Sequence, residues 1–101
     1  MKEFKVDYKN VPNCLRKFRK INGYTQREVA TLTGICNASM VSRWENGHRF
    51  PDPQNIFRLA ILYRTMADAL YTDLVRELKR EMQVRREKLE KKRQGGEVRH
   101  S

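Results

Sequence analysis

Residues 25–47, TQREVATLTGICNASMVSRWENG, constrain this chain more than any other stretch, because helix start and stop signals recur in it at close intervals. Thr25 is followed three residues later by Glu28, the spacing of a capping box. In that device two side chains satisfy amides that a first helical turn leaves without partners. Val29 and Leu32, with Ala30 beside them, give the ensuing helix an inward stripe. Gly34 ends it where a positive φ costs a glycine little. Asn37 starts a second helix as its N-cap, and Val41 and Trp44 lie three apart on its buried face. Ala38, Ser39, Ser42 and Arg43 are left pointing outward.

A helix that presents short side chains and one arginine lies close against the major groove of duplex DNA, where longer side chains would hold it off. The charge balance agrees. Twenty-two Lys+Arg against 12 Asp+Glu give a net charge of +10, which favours a polyanionic partner and says nothing about fold. At 101 residues the chain has room for one small core with appendages. No apolar run approaches the ~20 residues that span a bilayer, and no signal-peptide pattern opens the chain. No membrane association is expected, and a soluble, cytoplasmic, nucleoid-associated protein is.

Several chemistries find no foothold. Cys14 and Cys36 sit within apolar patterns and read as free thiols, and His48 and His100 do not complete a ligand set, so no metal site is expected. There is no Gly-rich phosphate loop, no carboxylate cluster and no nucleophile–base spacing, so neither a cofactor nor an enzymatic activity is expected.

At the start of the chain, Phe4, Val6 and Tyr8 alternate with Lys5, Asp7 and Lys9, which fits either an extended segment packed on the domain or a basic tail. A first helix is predicted from Pro12 to Asn22, with Leu15, Phe18, Val11 and Cys14 inward and Gly23 as terminator. Arg16, Lys17 and Lys20 read as solvated. After the central stretch, Gly47 and Pro51 stop the chain from continuing as helix. Asp52 caps a fourth helix starting at Pro53, with Ile56, Leu59, Ala60 and Leu62 or Tyr63 inward. Thr65 and Asp68 have the spacing of another capping box. From there the helical pattern runs without glycine or proline to about Arg93, supported by Glu81–Arg85 and Glu87–Lys91 at i,i+4. Val75, Leu78, Met82 and Leu89 form its apolar strip, with Arg85 interrupting. The tail from Gly95 reads as disordered.

Residues 12–71 resemble the phage-repressor class (Xre, or Cro and lambda repressor) of helix-turn-helix domains. The resemblance rests on Leu15, Arg19, Gly23, the Thr25-Gln26 pair, Ala30, Gly34, the run Ser42-Arg43-Trp44-Glu45-Asn46-Gly47, and Pro51. Between Gly34 and Glu45 the chain is one residue longer than the commonest family pattern. This implies an extended turn at Ile35-Cys36 and a recognition-helix register counted back from Glu45. The resemblance implies an all-α fold, a five-helix lambda-repressor-like helix-turn-helix domain, and the unbroken helical pattern beyond it, unlike the family's short fifth helix, adds an extended C-terminal helix. Its divisions are an arm over 1–11, the DNA-binding domain over 12–71, the extension over 72–94 and a tail over 95–101.

It also implies roles. The recognition helix, residues 37–46, would enter the major groove with Ala38, Ser39, Ser42 and Arg43 reading bases. Gln26, Arg27, Asn37, Asn46 and Arg49 would meet phosphates. Arg19 would pair with Glu45 and aim the recognition helix. The expected function is that of a sequence-specific, double-stranded-DNA-binding transcriptional regulator, a repressor, dimerising through Val75, Leu78, Met82 and Leu89. The alternative is an antitoxin-like regulator whose C-terminal helix binds a partner protein. An adaptor that has lost DNA binding fits less well with Gln26, Asn37, Arg43 and Arg49 in place.

Overall fold

A computed structural model of the chain describes residues 11–35 and 37–95. The expected alternating arm at the start of the chain, Cys36 of the expected extended turn and the tail expected beyond Gly95 lie outside them. Among the described residues the fold is all-α, with α1 Leu15–Ile21, α2 Gln26–Thr33, α3 Ala38–Glu45, α4 Pro53–Leu62, α5 Ala67–Leu70 and α6 Thr72–Gln94. Local signals set most of these bounds. Thr25 Oγ1 accepts the Glu28 N–H at 3.0 Å and Glu28 returns a carboxylate to the Thr25 N–H at 2.9 Å, so the capping box of α2 is complete. Asn37 caps α3 through Met40 N–H at 3.2 Å, and Asp52 caps α4 through Asn55 N–H at 3.1 Å with Pro53 at the first helical position.

Gly34 (φ 81°) and Gly47 (φ 78°) close α2 and α3 in the left-handed conformation. In each case the next amide folds back on the helix, Ile35 N–H to Ala30 C=O at 3.0 Å and His48 N–H to Arg43 C=O at 2.9 Å. At the end of α4 the same closure falls on Arg64, the one described non-glycine residue with positive φ (56°), and Thr65 N–H reaches Ala60 C=O at 3.0 Å. That closure takes Thr65 away from the helix it was expected to cap. α5 starts at Ala67 behind Met66 without any side-chain cap, so the Thr65–Asp68 box does not form.

Three further expectations are corrected. α1 begins at Leu15 rather than Pro12, because Asn13 acts as a local staple. Its Oδ1 accepts Leu15 N–H at 3.0 Å while its amide donates to Val11 C=O at 3.2 Å and to Trp44 C=O at 2.9 Å. Leu32 is 58% exposed, and Thr33 is buried in its place with its hydroxyl donating to Val29 C=O at 2.7 Å. The C-terminal helix is not continuous from Thr65. Cys14 N–H takes the Leu70 carbonyl at 2.9 Å, the acceptor that an uninterrupted helix would offer to Leu74, and the backbone bends at Tyr71 (φ −135°, ψ 58°). The bend turns Leu70 and Tyr71 into the core, and Tyr71 stacks against Phe50 with ring centroids 4.8 Å apart.

The core gathers Leu15, Val29, Val41, Trp44, Leu59 and Leu70, with Ala60 and Leu74 at its edge. Of the stripe expected on α4, Leu59, Ala60 and Tyr63 are buried, with Leu62 packed beside them, while Phe57 and Ile61 are exposed. No described helix is long and apolar enough to cross a membrane.

Tyr63 and Tyr71 are each buried with a hydroxyl that has no hydrogen-bond partner among the described residues. Burial is the main cause that pushes both phenols well above their ordinary value of 10.0. The folded chain therefore holds these protons where the unfolded chain releases them. Stability attributable to them is full below about pH 10 and falls as the pH rises beyond it. Tyr63→Phe and Tyr71→Phe are each expected to stabilise the fold by about 1 kcal/mol, since an unpaired buried hydroxyl is removed. Together they should flatten the fall in stability above pH 10, as measured by urea unfolding across an alkaline series. A stability loss in both variants would show that the hydroxyls are partnered.

Candidate nucleic-acid interface

The end of α3 is fixed by one carboxylate. The Glu45 side chain is 0% exposed and the Arg19 side chain 12%. Arg19 Nε donates to Oε2 at 2.6 Å and Nη2 to Oε1 at 3.1 Å, a two-pronged bond that locks the guanidinium plane. The third arm of the same guanidinium, Nη1, donates to Tyr24 C=O at 3.1 Å, just before α2. Hydrogen bonding to Glu45 holds the Arg19 guanidinium above its ordinary range, against the opposing effect of burial. Gln26, the first residue of α2, donates its side-chain amide to Glu45 Oε1 at 3.0 Å. One buried anion thus ties α1 and the first turn of α2 to the C-terminus of α3.

Arg16 joins this network from one turn earlier on α1. Its Nε lies 3.4 Å from Glu45 Oε1 and its Nη2 donates to Asn46 Oδ1 at 2.9 Å. Against the expectation of a solvated side chain, Arg16 is bonded, although its side chain is 53% exposed. The signal was its i,i+3 spacing from Arg19, which puts both guanidinium groups on one face of α1.

The outer face of α3 is built from small groups. Ser39 is exposed, Ala38 and Ser42 are half-exposed, and none projects beyond a hydroxyl. The Ser39 hydroxyl donates to Asn37 Oδ1 at 2.5 Å, and Asn46 Nδ2 donates to Ser42 Oγ at 3.3 Å. Of the two asparagines expected at phosphates, Asn37 is therefore already bonded at its Oδ1 and Asn46 at both its Oδ1, by Arg16, and its Nδ2. Gln26 keeps a second amide N–H beyond the one given to Glu45.

The basic side chains divide into two sets. Arg16 and Arg19 are held by Glu45, whereas Arg27, Arg43 and Arg49 are exposed and their guanidinium groups have no partner among the described residues. Arg43 rises from α3 itself, Arg27 from the first turn of α2 and Arg49 from the loop behind α3. These three guanidinium groups are bonded to no other described residue, unlike those of Arg16 and Arg19.

The expected dimerisation residues lie elsewhere and are unequal. Val75 is half-buried and Leu78 packs against the core, while Met82 is 59% exposed and Leu89 49%. Arg85 between them pairs with Glu81 at 2.8 Å. Glu87 accepts from Gln83 at 3.0 Å, in place of the expected Lys91.

Among known proteins, the family model for the helix-turn-helix matches residues 15–67, from the first residue of α1 to the first of α5. No curated protein and no solved structure gives a significant match to the chain. The match spans the capped helix pair, the Arg19–Glu45 lock and α4, and by it the chain belongs to the Xre, or lambda-repressor-like, family of helix-turn-helix proteins, a family of DNA-binding transcription regulators.

Proposed function

We propose that the chain is a sequence-specific regulator that binds double-stranded DNA as a homodimer and represses by occluding a promoter. The observation that carries the reading is the division of its arginines. The family-matched region fastens two of them to buried Glu45 and leaves Arg43, exposed on α3, without a partner among the described residues. A rigid helix with one free arginine among Ala38, Ser39 and Ser42 suits base-edge recognition in the major groove, because the short side chains allow a close approach. Gln26, Arg27, Asn37, Asn46 and Arg49 flank that face and serve as phosphate contacts that set its register on the duplex. In this reading residues 12–71 form the DNA-binding unit, 72–94 the dimerising extension, and 1–11 and 95–101 an arm and a tail. The protein acts in the cytoplasm, on the nucleoid, and needs neither cofactor nor metal.

A second reading has one observation behind it. α6 continues past the core with Met82 and Leu89 exposed, a surface that suits a foreign protein as in an antitoxin. Selection from random duplex DNA tests the main proposal. The expected result is an enriched inverted repeat with half-sites about 34 Å apart, one helical turn. Retention of DNA without enrichment of any sequence would reduce the protein to a non-specific binder.

A further inference from the structure

We propose that α6 pairs antiparallel with α6 of a second copy, with Met82 near the two-fold axis and Leu89 of each copy seated in the other's groove between α5 and α6. The inference rests on the homodimer reading above and gives it a surface and a direction.

The groove is lined by Met66, Ala69, Thr72 and Val75, with Arg76 and Lys79 further along α6. Met66 is 75% exposed, so a large apolar side chain lines it with no described residue covering it. Val75, Met82 and Leu89 recur at seven-residue intervals and so share one stripe of α6. Their neighbours Leu74 and Leu78 are drawn onto the domain core, and of the stripe Val75 is half-buried at the groove while Met82 and Leu89 are left exposed among the described residues. Lone apolar residues on a surface are ordinary, but these continue one another along a single helix face.

Charge decides the direction. From 72 to 82 the helix carries three basic and three acidic residues, and from 83 to 94 six basic and two acidic. Parallel pairing would set the strongly cationic halves side by side, and like charges at that range repel. Antiparallel pairing lays each cationic half along the other copy's neutral half. It also brings Glu87 and Glu90 of one copy towards Arg76 of the other. With Met82 on the axis, Val75 and Leu89 are equally distant from it in sequence, so each meets the other across the pair.

The same arrangement sets a distance. Tyr71, the N-cap at which α6 begins, is about 11 residues from Met82, so at ~1.5 Å per residue the two helix starts lie about 33 Å apart along the pair. That matches the ~34 Å between successive major-groove faces of a duplex. Parallel pairing would leave the helix starts side by side at the ~8–10 Å of packed helices.

Disulfide trapping distinguishes the arrangements. In a Cys14→Ser, Cys36→Ser background, Val75→Cys and Leu89→Cys proteins are prepared separately, oxidised alone and as a mixture, and checked for binding to half-site DNA. The mixture is expected to give a covalent dimer of twice the mass, and neither protein alone, since like positions sit about 21 Å apart along the antiparallel pair. Cross-linking of Val75→Cys with itself would mean parallel pairing and overturn the proposal. A wild-type chain that sediments as a monomer at micromolar concentration, with no cross-link in the mixture, would overturn it too. Half-site binding retained in either of those cases would leave the DNA-binding reading intact.

Discussion

Glu45→Ala is expected to destabilise the fold by about 3–5 kcal/mol, the range for removing one partner of a buried ion pair. The substitution strands Arg19, whose side chain is only 12% exposed, and takes the acceptor from Arg16 and Gln26 at the same time. Small domains are stable by about 5–15 kcal/mol, so the variant should be partly unfolded near its growth temperature. Glu45→Gln keeps an acceptor oxygen and the shape but not the charge, and should fall between wild type and Glu45→Ala. The check is denaturant unfolding of both variants with Arg19→Met and the double variant, read as a coupling energy. A loss within the ~0–1 kcal/mol of a surface pair, without coupling, would mean that Glu45 does not hold the three helices together.

Arg43→Ala should weaken binding to the selected operator by about 1–3 kcal/mol, roughly 5- to 150-fold, while nearly sparing random DNA. Its guanidinium has no partner to lose among the described residues, so stability should barely change. Arg49→Ala serves as the contrast. Loss of a phosphate contact weakens specific and non-specific complexes alike, and the slope of log affinity against log salt should fall by about one counterion. Equal losses on both DNAs for Arg43→Ala would move that residue to the phosphate class.

How much of this was legible in the sequence depends on how local each signal is. The caps at Thr25, Asn37 and Asp52 act within one helical turn, and all three appear where their spacing put them. The buried pair Val41 and Trp44 followed from periodicity alone. Leu32 misled because a hydrophobic side chain at the edge of a stripe can turn to solvent when a threonine beside it satisfies its hydroxyl on the preceding turn. The bend at Tyr71 could not be read locally at all. It follows from Cys14 N–H, on the far side of the domain in sequence, competing for the Leu70 carbonyl.

The site shows the same division. The pairing of Arg19 with Glu45 came from family resemblance, since nothing in the spacing of two charges 26 residues apart requires it. The arrival of Arg16 and Gln26 at the same carboxylate depends on how three helices cross, and only the fold displays it. Similarly, the strip on α6 was visible as a pattern, but its proximal part is shared with the core through Leu78.

The base edge proposed for Arg43 is that of a guanine, whose O6 and N7 face the major groove and accept both prongs of a guanidinium. This assignment is tested most directly by replacing each guanine of the selected operator with 7-deazaguanine, which removes the N7 acceptor and leaves base pairing intact. The account predicts that at one position per half-site the analogue weakens wild-type binding, and that at that position it has no further effect on Arg43→Ala. A loss of the same size with both proteins, or with neither at any guanine, would contradict it.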